Sequence, residues 1–205
     1  MELKTAIERR TSVRQFLPDP VPVSDLKEVS RLASLAPSVN NYQPWRFIAI
    51  TNKDVLHKMA SIVRARLAAI PENGSKYSLN VKKQVDFFAT FFEHAPALIA
   101  VCMENYETVL EKGVTLSHEE INEMRNSPDL QSTGACIQNL LLSAVDLGYG
   151  ACWMSAPMIA SNELEEMLGV SEPFKLVSFV AVGKSAKPYS PRDKKPIGEM
   201  FRIID

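Results

Sequence analysis

The stretch GACIQNLLLSAVDLGYGACWM, Gly134 to Met154, sets the frame on which the rest of the chain is read. Leu140, Leu141, Leu142, Ala144 and Val145 leave almost no polar face, and a helix that is apolar all round is buried all round. Just upstream, Ser127-Pro128-Asp129 reads as a helix start: a capping residue, proline at the first helical position and an acid in the first turn. The sequence therefore predicts a helix over Asp129–Leu147 that stops at Gly148. In a chain of 205 residues, such a helix is expected both to fill the core and to meet a partner subunit. GYGACWM then reads as a glycine turn into a short strand, where glycines let the backbone approach a ligand closely.

Outward from this stretch, three further segments read as strands: Trp45–Thr51, Ala95–Met103 and Leu176–Gly183. Leu3–Arg10 reads as a short helix with basic residues in its last turn. Ser24 is expected to cap a second helix, with Asp25 and Glu28 in its first turn and Leu26, Val29, Leu32 and Ala33 on one face. Asp54–Ile70 is amphipathic. Lys82–His94 places Val85, Phe88, Ala89 and Phe92 at helical spacing. Asn162–Leu168 has the pattern of a capping box, Asn162 with Glu165, and Gly169 beyond its end. Asn105–Arg125 is polar and mixed, read as a helix with a mobile connection. The basic, proline-rich tail ends in Phe201, Ile203 and Ile204, which need an apolar place to dock.

Composition narrows the function. A chain this long can bury on the order of 70% of its unfolded surface without staples. With 46% hydrophobic and 23% charged residues, it is an ordinary globular mix. A net charge of −1 argues against a general nucleic-acid or anionic-membrane binder. MELKTAIERRTSVR lacks the apolar core of a secretory signal, and no apolar run is long enough to span a bilayer. Cys102, Cys136 and Cys152 are far apart in apolar sequence. With His57, His94 and His118 scattered too, they read as reduced, buried thiols of a cytoplasmic protein and not as metal ligands.

Four places could carry chemistry. Arg10, Ser12 and Arg14 put two guanidinium groups and a hydroxyl in an extended segment, a possible phosphate clamp or a solvated helix end. APSVNNYQPWRF, from Ala36, is a stiff loop of prolines and amides. It is either a turn with Asx caps or a set of pre-organised donors for a flat heterocycle. Trp153 and Met154 could wall a flat ring or simply fill a core strand. Arg192 and Lys194 are solvent-exposed cations or a second phosphate contact. No G-x-G-x-x-G, P-loop or G-x-S-x-G is present. A site with phosphate binders, amides, glycines and aromatics, but no nucleophile or base, suits a cofactor that carries its own chemistry.

In order along the chain, RRTSVRQF, APSVNNYQPWRF, GACIQNLLLSAVDLGYGACWM and a late SPRDKKP resemble the flavin-dependent nitroreductase family. The resemblance implies an α+β fold: a mixed, mainly antiparallel sheet flanked by helices. It implies one domain over 1–205, an intertwined homodimer with the tail from about 185 crossing to the partner, and two FMN molecules at the interface. By the same resemblance, Arg10, Thr11, Ser12 and Arg14 hold the FMN phosphate and flavin edge, with Arg192 and Lys194 also near the phosphate. Pro37, Ser38, Val39 and Asn41 reach the flavin from the other subunit. Trp153, Met154, Ser155 and Ala156 lie beside the isoalloxazine, with a backbone N–H at Ser155 facing N5, and Ser132 approaches the ring. Asn80, Lys82 and Lys83 are candidates for the pyrimidine edge. Asn105–Arg125 corresponds to the region that shapes substrate access. The implied activity passes hydride from NAD(P)H through FMN to a nitroaromatic, quinone or related acceptor by a ping-pong mechanism. Alternatives are a non-turnover FMN carrier or redox sensor, and a specialised chemistry such as dehalogenation or flavin cleavage.

Overall fold

The computed structural model describes residues 1–71, 74–188 and 192–204. Its centre is a four-stranded sheet in the order β1-β2-β4-β3, with β1 Trp45–Ile50, β2 Ala97–Glu104, β3 Gly150–Met154 and β4 Phe174–Gly183. Every neighbouring pair is antiparallel. A parallel bridge from Ser12 to Ala151 lays the N-terminal arm against β3 and makes the whole arrangement mixed.

Side-chain alternation sorts the core into two layers. On β2, Ala97, Ile99 and Val101 face one side. There they meet Ile137, Leu140 and Ala144 of α6 (Pro128–Asp146) and Leu26 and Val29 of α2 (Val23–Ala33). Leu98, Ala100 and Cys102 face the other side. That layer is filled by Leu56, Met59 and Val63 of α3 (Lys53–Ala69), by Phe92, and by Leu164 of α7 (Ser161–Leu168). With helices on both faces, β2 is an almost unbroken apolar run although its pairing is antiparallel. Burial pushes the Cys102 thiol up to about 11 and Cys136 to about 12, and all three cysteines are free and buried.

The buried helix lies where expected and fills the core: ten of its residues, from Pro128 to Ala144, are buried within a single chain. Its start differs from expectation. Ser127 is left-handed (φ 53°, ψ 67°) and its side chain caps nothing. Capping needs an extended backbone, whereas the tight turn through Asn126 and Ser127 after α5 (His118–Met124) forces both residues to positive φ. Two other caps are also absent. Ser24 lies inside α2, whose cap position is Pro22, and bonds Asp25. In α7 the first helical residue is Ser161, so Asn162 is already inside the helix. Glu165 instead accepts the Leu176 N–H at 2.6 Å, tying α7 to β4. Conversely, 105–125 carries a capping box of its own, Ser117 with Glu120, at the start of α5.

Helix α4 begins earlier than its apolar spacing indicates, at Lys76, and tightens into a 3-10 turn over Phe91–His94. Ala89 and Phe92 are buried as expected, but Phe88 is 47% exposed. The tail lies open: Ile197, Met200, Phe201, Ile203 and Ile204 are all more than 60% exposed. Among the described residues, no helix is long and apolar enough to cross a membrane.

Candidate functional site

Helix α1 (Leu3–Arg9) ends where Arg10 turns to extended backbone (φ −60°, ψ 120°). The arm that follows is pinned from two sides. Val13 N–H donates to Ala151 O at 3.0 Å, Leu17 N–H to Lys184 O at 2.8 Å, and Ala186 N–H to Gln15 O at 2.9 Å. Along such an arm, residues at spacing two share a face. Arg10, Ser12 and Arg14 therefore point together, and that is the physical content of their pattern.

Gly150 of the GYG turn makes room for the chain itself. A Cβ on Gly150 would lie 2.5 Å from Val13 Cγ2 and 2.8 Å from Val13 Cβ. On Gly183, at the end of β4, it would lie 2.4 Å from Pro96 Cγ and 3.0 Å from Phe16 Cδ1. The close approach at Gly150 is made by the chain's own arm, which needs the missing Cβ to seat against β3. Gly150→Ala should thus lift the arm, costing about 1–3 kcal/mol as an overpacked contact. Urea denaturation measures that loss, and an unchanged midpoint and slope would show that the arm is not seated there.

Beside the arm lies a cleft of about 430 Å³, lined by Ile7, Glu8, Arg10, Thr11, Ser12, Arg14, Arg192 and Lys194. A wider cleft of about 660 Å³ shares Thr11, Ser12, Arg14 and Arg192 and adds Arg9, Phe87, Tyr149, Lys184 and Lys187. Every cation expected at a phosphate thus lines one cleft, from opposite ends of the chain. Ser190 and Pro191 of the tail motif lie outside the described residues. Arg14 Nη1 donates to Ser12 O at 3.4 Å, and its guanidinium stands 5.4 Å from the centre of the Phe88 ring. This is the use of Phe88's exposure. Beneath the arm, burial pushes the Cys152 thiol up, opposed by Arg14, by a hydrogen bond with Ser12 and by Arg10.

The other expected residues lie apart from this cleft in the same chain. On β3, Trp153 is 44% exposed, and the α6 backbone passes close by: a Cβ on Gly134 would sit 3.7 Å from the indole. Met154 corrects the expectation of a ring wall, because its side chain is buried in the sheet core at 3% exposure. Strand alternation sends Trp153 out and Met154 in, so Met154 offers only its backbone. Its carbonyl accepts from Ser178 Oγ at 2.9 Å. Ser155 ends the strand exposed, and its N–H has no acceptor among the described residues. Ala156 opens a 3-10 turn. The Ser132 hydroxyl is buried and donates to Pro128 O at 2.8 Å. Lys82 Nζ donates to Ala68 O at 3.3 Å, on its own helix pair, and neither it nor Asn80 nor Lys83 lines either cleft.

The loop bearing Pro37, Ser38, Val39 and Asn41 also lines neither cleft. It forms a short 3-10 turn in which Asn40, Asn41 and Gln43 all have positive φ (50°, 56° and 56°). Non-glycine residues there are strained by roughly 1–2 kcal/mol each. The loop is held by Gln43 N–H donating to Ser38 Oγ at 2.9 Å and by Gln43 Nε2 donating to Asn41 Oδ1 at 3.2 Å. Tyr42 donates to Glu104, which pushes the phenol up to about 12, and Asn40 Nδ2 donates to the Tyr106 hydroxyl. No local pattern signals these anchors, since Asn40 and Tyr106 are 66 residues apart.

An antiparallel sheet wrapped by helices on both faces, with a cluster of cations along one edge and an open aromatic strand end, defines an α+β protein. The Nitroreductase family model matches residues 7–184, and the chain belongs to the nitroreductase family. It is similar over 100% of both chains to a BluB-like flavoprotein from Clostridium difficile 630, with a TM-score of 0.89 and 29% identity. A nitroreductase with bound FMN from Desulfitobacterium hafniense DCB-2 has the same fold, with a TM-score of 0.74 and 21% identity over 100% of both chains. A Bacillus subtilis (strain 168) protein named "Putative NAD(P)H nitroreductase YfhC" is 23% identical over 204 residues, 97% of this chain and 92% of that relative.

Proposed function

We propose that this chain is an FMN-dependent NAD(P)H oxidoreductase that works as a homodimer. One observation carries the reading: Arg10, Ser12 and Arg14 share a cleft with Arg192 and Lys194 from the far end of the sequence. Four cations and a hydroxyl lining one cleft fit a phosphate dianion. Similarity to a BluB-like flavoprotein supports a flavin as the group that bears this phosphate.

Bound in the cleft, FMN would supply two-electron chemistry, taking hydride from NAD(P)H and returning electrons to a nitroaromatic, quinone or related acceptor. The chain's own part is binding, orientation and electrostatics. Arg10 and Arg14 would neutralise the phosphate, the Ser12 hydroxyl would donate a hydrogen bond to it, and Trp153 and the Ser155 N–H would border the ring. NAD(P)H and the acceptor take turns over the same face, as a ping-pong mechanism requires. The loop 37–41, remote from its own chain's cleft, would serve the site of the partner. The open apolar tail supports the same dimer.

The protein should purify yellow and release FMN on denaturation. Arg14→Ala should weaken FMN binding by about 1.5–3 kcal/mol, the range for a charge-assisted hydrogen bond, as measured by fluorescence titration. NAD(P)H should bleach the flavin without air, and menadione or nitrofurazone should restore it over many cycles. A colourless protein that cannot be reconstituted with FMN would overturn the reading. Bleaching without turnover would leave a carrier or sensor in its place.

A further inference from the structure

The strained loop 38–43 has an anchor outside itself. Resting on the FMN reading above, we infer that Tyr106 is a positioning residue, whose hydroxyl holds Asn40 at positive φ and so presents the loop to the flavin in a single geometry.

Three of the four residues from Asn40 to Gln43 are left-handed and none is glycine. Such a run persists only where its surroundings over-determine it, and it is found at ligand clamps. Within the loop, the Ser38 and Asn41 bonds fix Gln43. Asn40 has no side-chain partner in the loop and is fixed from outside, by the Tyr106 hydroxyl.

Tyr106 is itself well seated. It is 7% exposed, its ring packs on Tyr42 with centroids 4.8 Å apart, and its N–H donates to Asp129 Oδ2 at 3.3 Å. Asp129 is buried in the first turn of α6, the helix that also carries Ser132 and Gly134. His118 Nε2 stands 4.0 Å from the same carboxylate, and its Nδ1 lies 3.0 Å from Glu111. The loop is thus tied through Tyr106 both to the rigid core helix and to the segment that follows β2. A buried aromatic with two polar attachments gives the loop a fixed reference that its own short bonds cannot supply.

The test is a double-mutant cycle on the full-length protein. Tyr106→Phe removes only the hydroxyl and keeps the ring contact. Asn40→Gly removes the amide but tolerates φ 50°. Each single variant should bind FMN roughly three- to tenfold more weakly, the effect of one lost hydrogen bond. The double variant should be no weaker than the worse single one. In the FMN-free protein, Tyr106→Phe should speed hydrogen–deuterium exchange of the Asn41 and Gln43 amides by a similar factor and leave β2 and β4 unchanged. Additive losses, or wild-type affinity and exchange in Tyr106→Phe, would overturn the assignment while leaving the FMN reading intact. A wild-type chain that binds no FMN would overturn both.

Discussion

Ser155→Pro should slow reduction of bound flavin by NAD(P)H by about 10²–10³-fold, whereas Ser155→Ala should leave it almost unchanged. The difference follows from which atom works. Ser155 is exposed, its side chain caps nothing, and its N–H lacks an acceptor among the described residues. An unclaimed donor at a strand end beside an exposed indole is pre-organised to stabilise charge that develops on a flavin edge. Removing one such donor costs about 10²–10³ in rate. Proline deletes that N–H. Its fixed φ near −65° is a modest change from the present −102°, and the preceding residue is already in a strand, where a residue before proline prefers to be. The variant should therefore fold and remain yellow. Anaerobic stopped-flow bleaching, at matched FMN content, separates the two variants. Alanine as damaging as proline would show that the hydroxyl is the working group.

The second large effect is expected from the tail. Truncation after Gly198 should convert the protein from dimer to monomer at micromolar concentration and strip most of its FMN. Phe201, Ile203 and Ile204 are 64–83% exposed in the single chain, an apolar segment that water does not favour. Obligate dimer interfaces bury roughly 2,000–5,000 Å², and the tail is the part of this chain most in need of such cover. The cut removes neither Arg192 nor Lys194, so loss of FMN would come through the missing partner and not through lost phosphate contacts. Sedimentation velocity and the ratio of flavin to protein absorbance measure the two outcomes. A truncated chain that stays dimeric and yellow would separate the tail from the interface.

Periodicity alone determined much of this protein. The buried helix was legible because Leu140, Leu141, Ala144 and Val145 have no polar face to offer, whatever they pack against. The strands read over Ala95–Met103 and Leu176–Gly183 were legible from their apolar runs, and Arg10, Ser12 and Arg14 as two guanidinium groups and a hydroxyl in one extended segment. These are local properties, fixed by the repeat of helix or strand. Helix starts were less legible. Ser127, Ser24 and Asn162 are all good capping residues, but whether a hydroxyl or amide caps depends on its own φ and ψ, and neighbouring elements set those.

Only the tertiary structure decided that Arg192 and Lys194 line a cleft with Arg10 and Arg14, that Gly150 makes room for Val13, and that Met154 faces the core while Trp153 faces out. It also decided that Asn40 is held by Tyr106. Each of these depends on how elements far apart in the chain pack, and no pattern within a window of sequence encodes a distance across the fold. The sequence supplied the cations and the amides; packing of β3 against the arm, and of the segment after β2 against the loop, decided where they stand.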